Sequence, residues 1–544
     1  MNINLQDLSS GIEEIFTKYD ISNKSIEFFY SNIKGVDVQL NSLLQISDNK
    51  NINEIKNEII KLLEISEKIS AFEISKNGFI NITFSEKHLK NLATLNFEKI
   101  SKKEHILFDY GGPNIGKALH VGHLRTLNIG RSLYNINKFA GNKVTSDVHF
   151  GDWGMPVSQI IAYIEYKNLD INSIDYEDLE HIYPNAVSLT NENESFENLC
   201  KEISKEINLG NEDYIRKWSI IRSISINEIK SLFVQLQHNF DLFYGESDVI
   251  DEANEVIVDA KKRGKVKFDN LALISTEERD PPVIIAKRDG SFLYMTTDLG
   301  TVKFREANEE YDKYIYVVDS RQKEHFSQLF STIKHFDLSR KEFIHIGYGT
   351  VNGKNGKPLK TRDGGVYKLI DLYSDVKKLL SRDGMSNQDL DKLTNSVLTY
   401  SDLLSNRKQN YVFDIDRFVD INGKTAVYLQ YSQVRAARLL NEYGKRIKLR
   451  KLHNLSSTER NLVFLTTKFS YYFNLSIERN EPHHLAEYAY ILCSMFNSFY
   501  SNNKIFSKDI DEQTKTKRIF IVDNFYNTLI DIFYCLGIEP VEKM

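Results

Sequence analysis

A chain of 544 residues is long enough for several domains, and a 41% hydrophobic share can bury sizeable cores. The net charge of -5 excludes a uniformly basic nucleic-acid binder but leaves room for a local basic face. Cys200, Cys493 and Cys535 lack the close spacing of a zinc site or disulfide framework, and fit a reducing compartment. The first residues lack the basic and apolar parts of a signal peptide, and no uncharged apolar run has membrane-spanning length. These features predict a cytoplasmic protein with no membrane partner.

Residues 1–100 read as a separate small α+β domain. Leu5–Tyr19 and Ile52–Leu63 carry helical spacing, while Ala71–Ser75 and Gly78–Thr83 read as paired strands. A second unit covers 101–375. Its first strand is His105–Tyr110, bounded by Gly111-Gly112-Pro113. Ile129, Leu133, Ile136 and Ala140 then mark an amphipathic helix that Gly141 stops, and Lys143–Phe150 reads as the next strand. His120-Val121-Gly122-His123 sits at the start of that helix. Free N–H groups and the helix dipole favour anions there, so two histidines three apart, with a glycine that admits a ligand, predict a phosphate site.

From about 155 to 280 the chain is polar and helical, with Ile226, Ile229, Phe233, Leu236 and Phe240 on one face. This region reads as an insertion into a doubly wound Rossmann-like sheet. The sheet is expected to resume at Pro282–Ala286, followed by a turn at Asp289-Gly290 and a helix beginning near Thr297-Asp298. Tyr314–Val318 and Phe343–Ile346 are further buried strands. A ligand in such a sheet lies beyond the C-terminal strand ends, here Asp109–Asn114, Gly151–Gly154, Asp319–Gln322 and the loop after Gly347. That loop carries Lys354, Lys357, Lys360 and Arg362 between glycines, the composition of a mobile cationic lid over a polyphosphate. Residues 376–544 read as all-α. A basic run from Arg435 to Lys451, interleaved with Tyr428, Tyr431 and Tyr443, suits single-stranded RNA, whose phosphates meet cations and whose bases stack on rings.

Taken together, these residues resemble a family. Phe108-Asp-Tyr-Gly-Gly-Pro-Asn-Ile-Gly-Lys-Ala-Leu-His-Val-Gly-His-Leu-Arg125 is similar to the signature of the arginyl-tRNA synthetases, which are class I enzymes. The likeness continues in order through Gly151–Gly154, Leu293–Gly300, Val317–Gln322, Lys357–Arg362, Tyr411–Arg417, Tyr428–Tyr431 and Pro482–Tyr488. It implies that arginine is activated with ATP, accompanied by Mg2+, and passed to the 2′-hydroxyl of the terminal adenosine of tRNA-Arg. It further implies that Gly116, Lys117, His120, Gly122, His123 and Lys360 hold ATP. Lys117, His120, His123, Lys357 and Lys360 would be the catalytic set. Asp109, Asn114, Tyr294, Asp298 and Gln322 would hold arginine, which suits a guanidinium that wants carboxylates and fixed acceptors in one plane. Tyr428, Tyr431, Arg435 and Met544 would meet tRNA, and no resident metal is implied.

The sequence departs from the general class I pattern in two places. Lys357-Pro-Leu-Lys-Thr-Arg362 replaces a KMSK-type loop, and Lys117, three residues before His120, is the extra lysine that several arginine enzymes carry in compensation. Gly35–Asn41 matches the N-terminal pattern loosely, Gly78–Ile82 better. A monomer is expected. The competing readings are a non-catalytic tRNA-binding paralogue and a small-molecule nucleotidyltransferase. Locally, Asp298 competes with a helix-cap role, Trp153 with packing beneath the site, and Met544 with a frayed end.

Overall fold

The computed structural model describes residues 4–22, 24–94, 97, 99, 103–269, 272–288, 292–353, 356, 367–447, 449 and 452–544. Three parts follow one another, as the sequence predicts. The first is an antiparallel sheet ordered Phe28–Tyr30, Val38–Leu40, Ile80–Phe84, Ile69–Ile74. Helices Gln6–Lys18 and Ile52–Glu64 accompany it, with buried Leu8, Ile12 and Phe16 facing a core shared with Ile55, Ile59 and Leu63.

The second part centres on four parallel strands, ordered Glu342–Tyr348, Lys313–Asp319, His105–Tyr110, Lys143–Asp147. Both faces are covered, so the middles of the central strands, Ile106–Phe108 and Tyr314–Val318, are runs of apolar and aromatic residues. Ile106 and Phe108 join one core with Ile315 and Val317; Leu107, Tyr314 and Tyr316 face the other. On the first face lies the helix Val121–Ala140, ended by Gly141 in the left-handed region at φ +105°.

Two expectations need correction here. The sheet does not resume at Pro282–Ala286. Ile284–Lys287 belongs instead to a separate antiparallel sheet with Val266–Asp269 and Ala272–Ser275. What returns to the main sheet is 241–246, which pairs in parallel at its edge: Phe150 N–H donates to Tyr244 O at 2.8 Å, and Glu246 N–H to Phe150 O at 3.0 Å. Edge pairing needs few hydrogen bonds and no long apolar run, so periodicity does not announce it. Secondly, the next helix spans Tyr294–Asn308 and is capped by Leu293. Asp298 therefore lies inside it and does not cap it.

The third part is helical, with one two-residue strand, Tyr411–Val412, paired to Val351–Asn352 where an all-α region was expected. Its helices cover the outer side of Val121–Ala140. Ser132 Oγ donates to Cys535 O at 2.9 Å, and Arg131 reaches Thr399 Oγ1 at 2.7 Å. The helix Glu512–Leu536 is long and apolar enough by length and composition to cross a membrane. Here Ile521, Val522, Phe525, Leu529 and Ile532 are buried in the bundle. The N-terminal part docks on the same body through Arg460, whose guanidinium grips buried Asp37 at 3.0 and 2.5 Å. The three cysteines are buried and unpaired.

Candidate active site

The cleft opens above the C-terminal strand ends, and its first wall is the start of Val121–Ala140. His120 is the N-cap. Its Nδ1 accepts from Gly122 N–H at 3.0 Å, and its own N–H donates to His123 Nδ1 at 3.1 Å. A backbone N–H can only donate, so His120 Nδ1 accepts and its neutral ring carries the proton on Nε2. His123 Nδ1 lies between the His120 N–H and the His120 carbonyl, 3.3 Å away. Both rings stay neutral. Burial and the neighbouring Lys117 and Arg321 lower His120; burial and His120 push His123 down to about 3. Gly122 is required for a reason the sequence did not suggest: a Cβ there would sit 2.6 Å from the His120 ring.

Just upstream, Gly116 has φ +71° and donates its N–H to Ser225 Oγ at 3.0 Å, and a Cβ would lie 2.3 Å from Ile160. The loop is thereby bound to the helices after Gly154. Lys117 reaches the same helices, its Nζ 4.5 Å from the centre of the Tyr183 ring. Downstream of the cationic loop, Tyr367-Lys368 pairs with this wall: Val121 N–H donates to Tyr367 O at 3.1 Å, and Leu369 N–H to Leu119 O at 2.9 Å. Lys357 and Lys360 lie outside the described residues.

The opposite wall is acidic. Tyr294 opens its helix and is 64% exposed. One turn on, Asp298 pairs with His325 Nε2 at 2.6 Å. Burial pulls His325 down, but the Asp298 hydrogen bond outweighs it and raises the imidazole overall. Glu246 faces this helix, accepting from Thr297 Oγ1 at 3.4 Å, and is pushed up to about 7 by burial first and by Asp298 second.

Beneath lies an ion cluster. Arg305 Nη2 is 2.6 Å from both Asp109 Oδ2 and Asp147 Oδ2, and all three side chains are nearly sealed from solvent. Burial pushes Asp109 up, while Asp147 is held below the ordinary carboxylate range by Arg305 and His149. Asp109, expected to hold substrate, is committed to an internal guanidinium. Asn114 links the two strand-end loops, as Ile115 N–H donates to Gly151 O and Gly151 N–H to Pro113 O, each at 3.1 Å. Gln322 is exposed on the turn after Lys313–Asp319. Trp153 packs edge-on against Trp218 at 5.3 Å, and Trp218 Nε1 donates to Asp152 O at 2.8 Å.

A family model described as "tRNA synthetases class I (R), catalytic domain" matches residues 87–415. Arginine–tRNA ligase of Alkaliphilus oremlandii (strain OhILAs) is 33% identical over 534 residues, covering 90% of each chain. This chain belongs to the arginyl-tRNA synthetase family. The arginyl tRNA synthetase N-terminal domain matches 4–84 and the DALR anticodon binding domain 429–544. Arginine–tRNA ligase of Francisella tularensis subsp. novicida (strain U112) is 32% identical over 528 residues, again covering 90% of each. The fold is that of the Plasmodium falciparum arginyl-tRNA synthetase (TM-score 0.80, 24% identity, all of both chains covered) and of the Thermus thermophilus enzyme (0.80, 17%, covering 99% of this chain and 100% of that one).

In this synthetase fold the remaining expected residues lie on the helical body. Tyr428, Tyr431 and Arg435 share the helix Ala426–Tyr443, where Arg435 stacks 4.0 Å over Tyr431 and 4.9 Å over Tyr500 and donates to Asn497 at 3.1 Å. Met544 is not a frayed end. It packs on the core, and the tail before it is pinned by Glu542 N–H to Asp389 at 2.8 Å and by Val541 N–H to Gln430. Glu481, His483 and His484 form the one group with metal-ligand spacing among the described residues. Lys408 already sits 2.8 Å from Glu481, so no metal is assigned there. Sequence reasoning missed Glu246, His149, His325 and Arg305. Glu246 lies where an insertion was expected, and Arg305 lies beyond the Leu293–Gly300 motif at the start of its helix.

Proposed function

We propose that this chain activates L-arginine with ATP, releasing pyrophosphate, and passes the arginyl group to the 2′-hydroxyl of the terminal adenosine of tRNA-Arg. The carrying observation is the pairing of unlike walls. One offers two imidazoles, a helix N-terminus and Lys117, which together suit phosphates. The other offers Asp298 and Glu246 beside Tyr294, which suit a guanidinium. Family membership supports the same reading.

In this reading ATP lies on Gly116, Lys117, His120, Gly122 and His123, with Lys357 and Lys360 closing from the loop. Mg2+ enters with ATP as its counter-ion. Negative charge grows toward the leaving pyrophosphate as the arginine carboxylate attacks the α-phosphate, and fixed donors stabilise that charge more than they stabilise bound ATP. Arginine lies on Asp298, Tyr294, Asn114 and Gln322, to which we add Glu246. Asp109 acts from beneath, through Arg305. The tRNA is held by the helical body, with Tyr428, Tyr431, Arg435 and Met544 as its contacts. The functional units are 1–100, 101–375 with its insertion at about 155–280, and 376–544. The enzyme works as a cytoplasmic monomer.

Aminoacylation of bulk tRNA with each standard amino acid in turn tests the proposal. Arginine alone is charged, since lysine offers a point charge and forfeits charge-assisted bonds of about 1.5–3 kcal/mol each. Equal charging with lysine overturns it. Arginine-dependent pyrophosphate exchange is expected to need tRNA, as in the family.

A further inference from the structure

Lys117 is held at both ends by one face of one helix. The helix Tyr176–Glu192 begins at an Asp175 cap, and Tyr176, Glu180 and Tyr183 recur at spacings of four and three, so they share a face. Tyr176 OH donates to Lys117 O at 3.0 Å. Seven residues on, the Tyr183 ring lies under the Lys117 ammonium at 4.5 Å. Between them Glu180 pairs with Lys368, which follows the cationic loop and is bridged to His120. The same helix therefore fixes the Lys117 backbone, its ammonium and the downstream anchor of the loop. It packs in turn on Met155–Tyr166, whose Ile160 sits against Gly116.

The partner chosen for the ammonium matters. A carboxylate would neutralise Lys117 and compete with phosphate for it. Water would leave a four-carbon side chain free to swing, and ordering it would then cost entropy on every turnover. An aromatic face attracts a cation through its quadrupole without cancelling its charge. Tyr183 thus holds the Lys117 side chain without supplying a counter-charge.

We propose that Tyr183 is a positioning residue for Lys117, and that the Tyr176/Glu180/Tyr183 face couples the inserted helices to phosphate chemistry. This rests on the reading of Lys117 as the phosphate-side cation. The test is single-turnover adenylate formation by the full chain with tRNA present, across Tyr183→Phe, Tyr183→Leu, Lys117→Ala and the Tyr183→Leu/Lys117→Ala double variant, each with a thermal melt. Tyr183→Phe keeps the ring and stays within about twofold of the parent. Tyr183→Leu keeps bulk but loses the π face, and slows the step about tenfold with the melt unchanged. It raises the KM for ATP and leaves that for arginine alone. In the Lys117→Ala background Tyr183→Leu has no further effect, because the group it positions is gone.

Three results overturn the proposal. Tyr183→Phe as slow as Tyr183→Leu would assign the effect to the hydroxyl. An equal loss from Tyr183→Leu with and without Lys117 would mean that Tyr183 acts elsewhere. A slow Lys117→Ala with a fast Tyr183→Leu would remove Tyr183 and keep Lys117. A fast Lys117→Ala would instead sink the underlying reading, and so the two failures are told apart.

Discussion

The two walls of the cleft solve opposite electrostatic problems with opposite means. On the histidine wall, burial keeps His120 and His123 neutral, and backbone capping aims the His120 proton. Among the described residues, no carboxylate pairs with His120, His123 or Lys117. On the acidic wall, carboxylates outnumber cations, so burial acts the other way and Glu246 holds its proton to about pH 7. That wall is incomplete until a cation arrives. The lesson is that one fold keeps a donor site and an acceptor site in one domain by keeping anions off the first and leaving the second short of positive charge.

The largest way to break the contrast is from beneath. Arg305→Met leaves Asp109 and Asp147 facing each other without their shared cation, and a broken buried ion pair costs about 3–5 kcal/mol. Denaturant unfolding should show that loss, with arginine binding abolished as the acidic wall collapses. Next, Lys117→Ala should slow adenylate formation about a hundred- to a thousandfold, as for loss of one electrostatic donor, with no change in melting temperature. Asp298→Asn leaves the ATP wall intact. It should raise the KM for arginine by roughly 10- to 150-fold, the equivalent of one charge-assisted hydrogen bond of about 1.5–3 kcal/mol, and leave the KM for ATP within twofold, about the scatter between contexts.

The smallest effect sharpens the comparison. Glu246 ionises near 7 in the folded protein against an ordinary 4.5. Between those values the unfolded chain has shed a proton that the folded chain keeps, so this group lowers stability as pH rises from 4.5 to 7. Arginine binds the ionised form, and its affinity should therefore rise with pH up to about 7 and level off above. Calorimetry in buffers of different ionisation enthalpy should detect fractional proton release at pH 6 that vanishes at pH 8.5. Glu246→Gln should flatten the profile.

Much of this was legible in the sequence, and the gaps have physical causes. The strands His105–Tyr110, Lys313–Asp319 and Glu342–Tyr348 announce themselves by continuous runs of apolar and aromatic residues, longest in the two central strands, which are buried on both faces. The His120 pair is readable because a helix start constrains residues only three apart. Glu246 was not readable, since its place depends on edge pairing with Phe150, nearly a hundred residues away. The partner of Asp109 was not readable for a related reason: Arg305 is 196 positions distant, and no local pattern shows the pairing. The extra strand at 411–412 was too short to carry a period.

The contact between Ser132 and Cys535 bridges 403 positions of sequence. Every residue proposed to touch ATP or arginine has been synthesised once residue 360 is made. The outer cover of the histidine helix begins with Thr399 and is completed only by Glu512–Leu536. Until then Ser132, Asn135 and Phe139 on that helix lack the partners that Cys535 and Tyr534 supply, as they would in a chain cut at 375. Biogenesis is therefore end-weighted. Nonsense truncations just short of Cys535 should behave like early ones, yielding insoluble or chaperone-bound product although the whole proposed chemistry is encoded upstream.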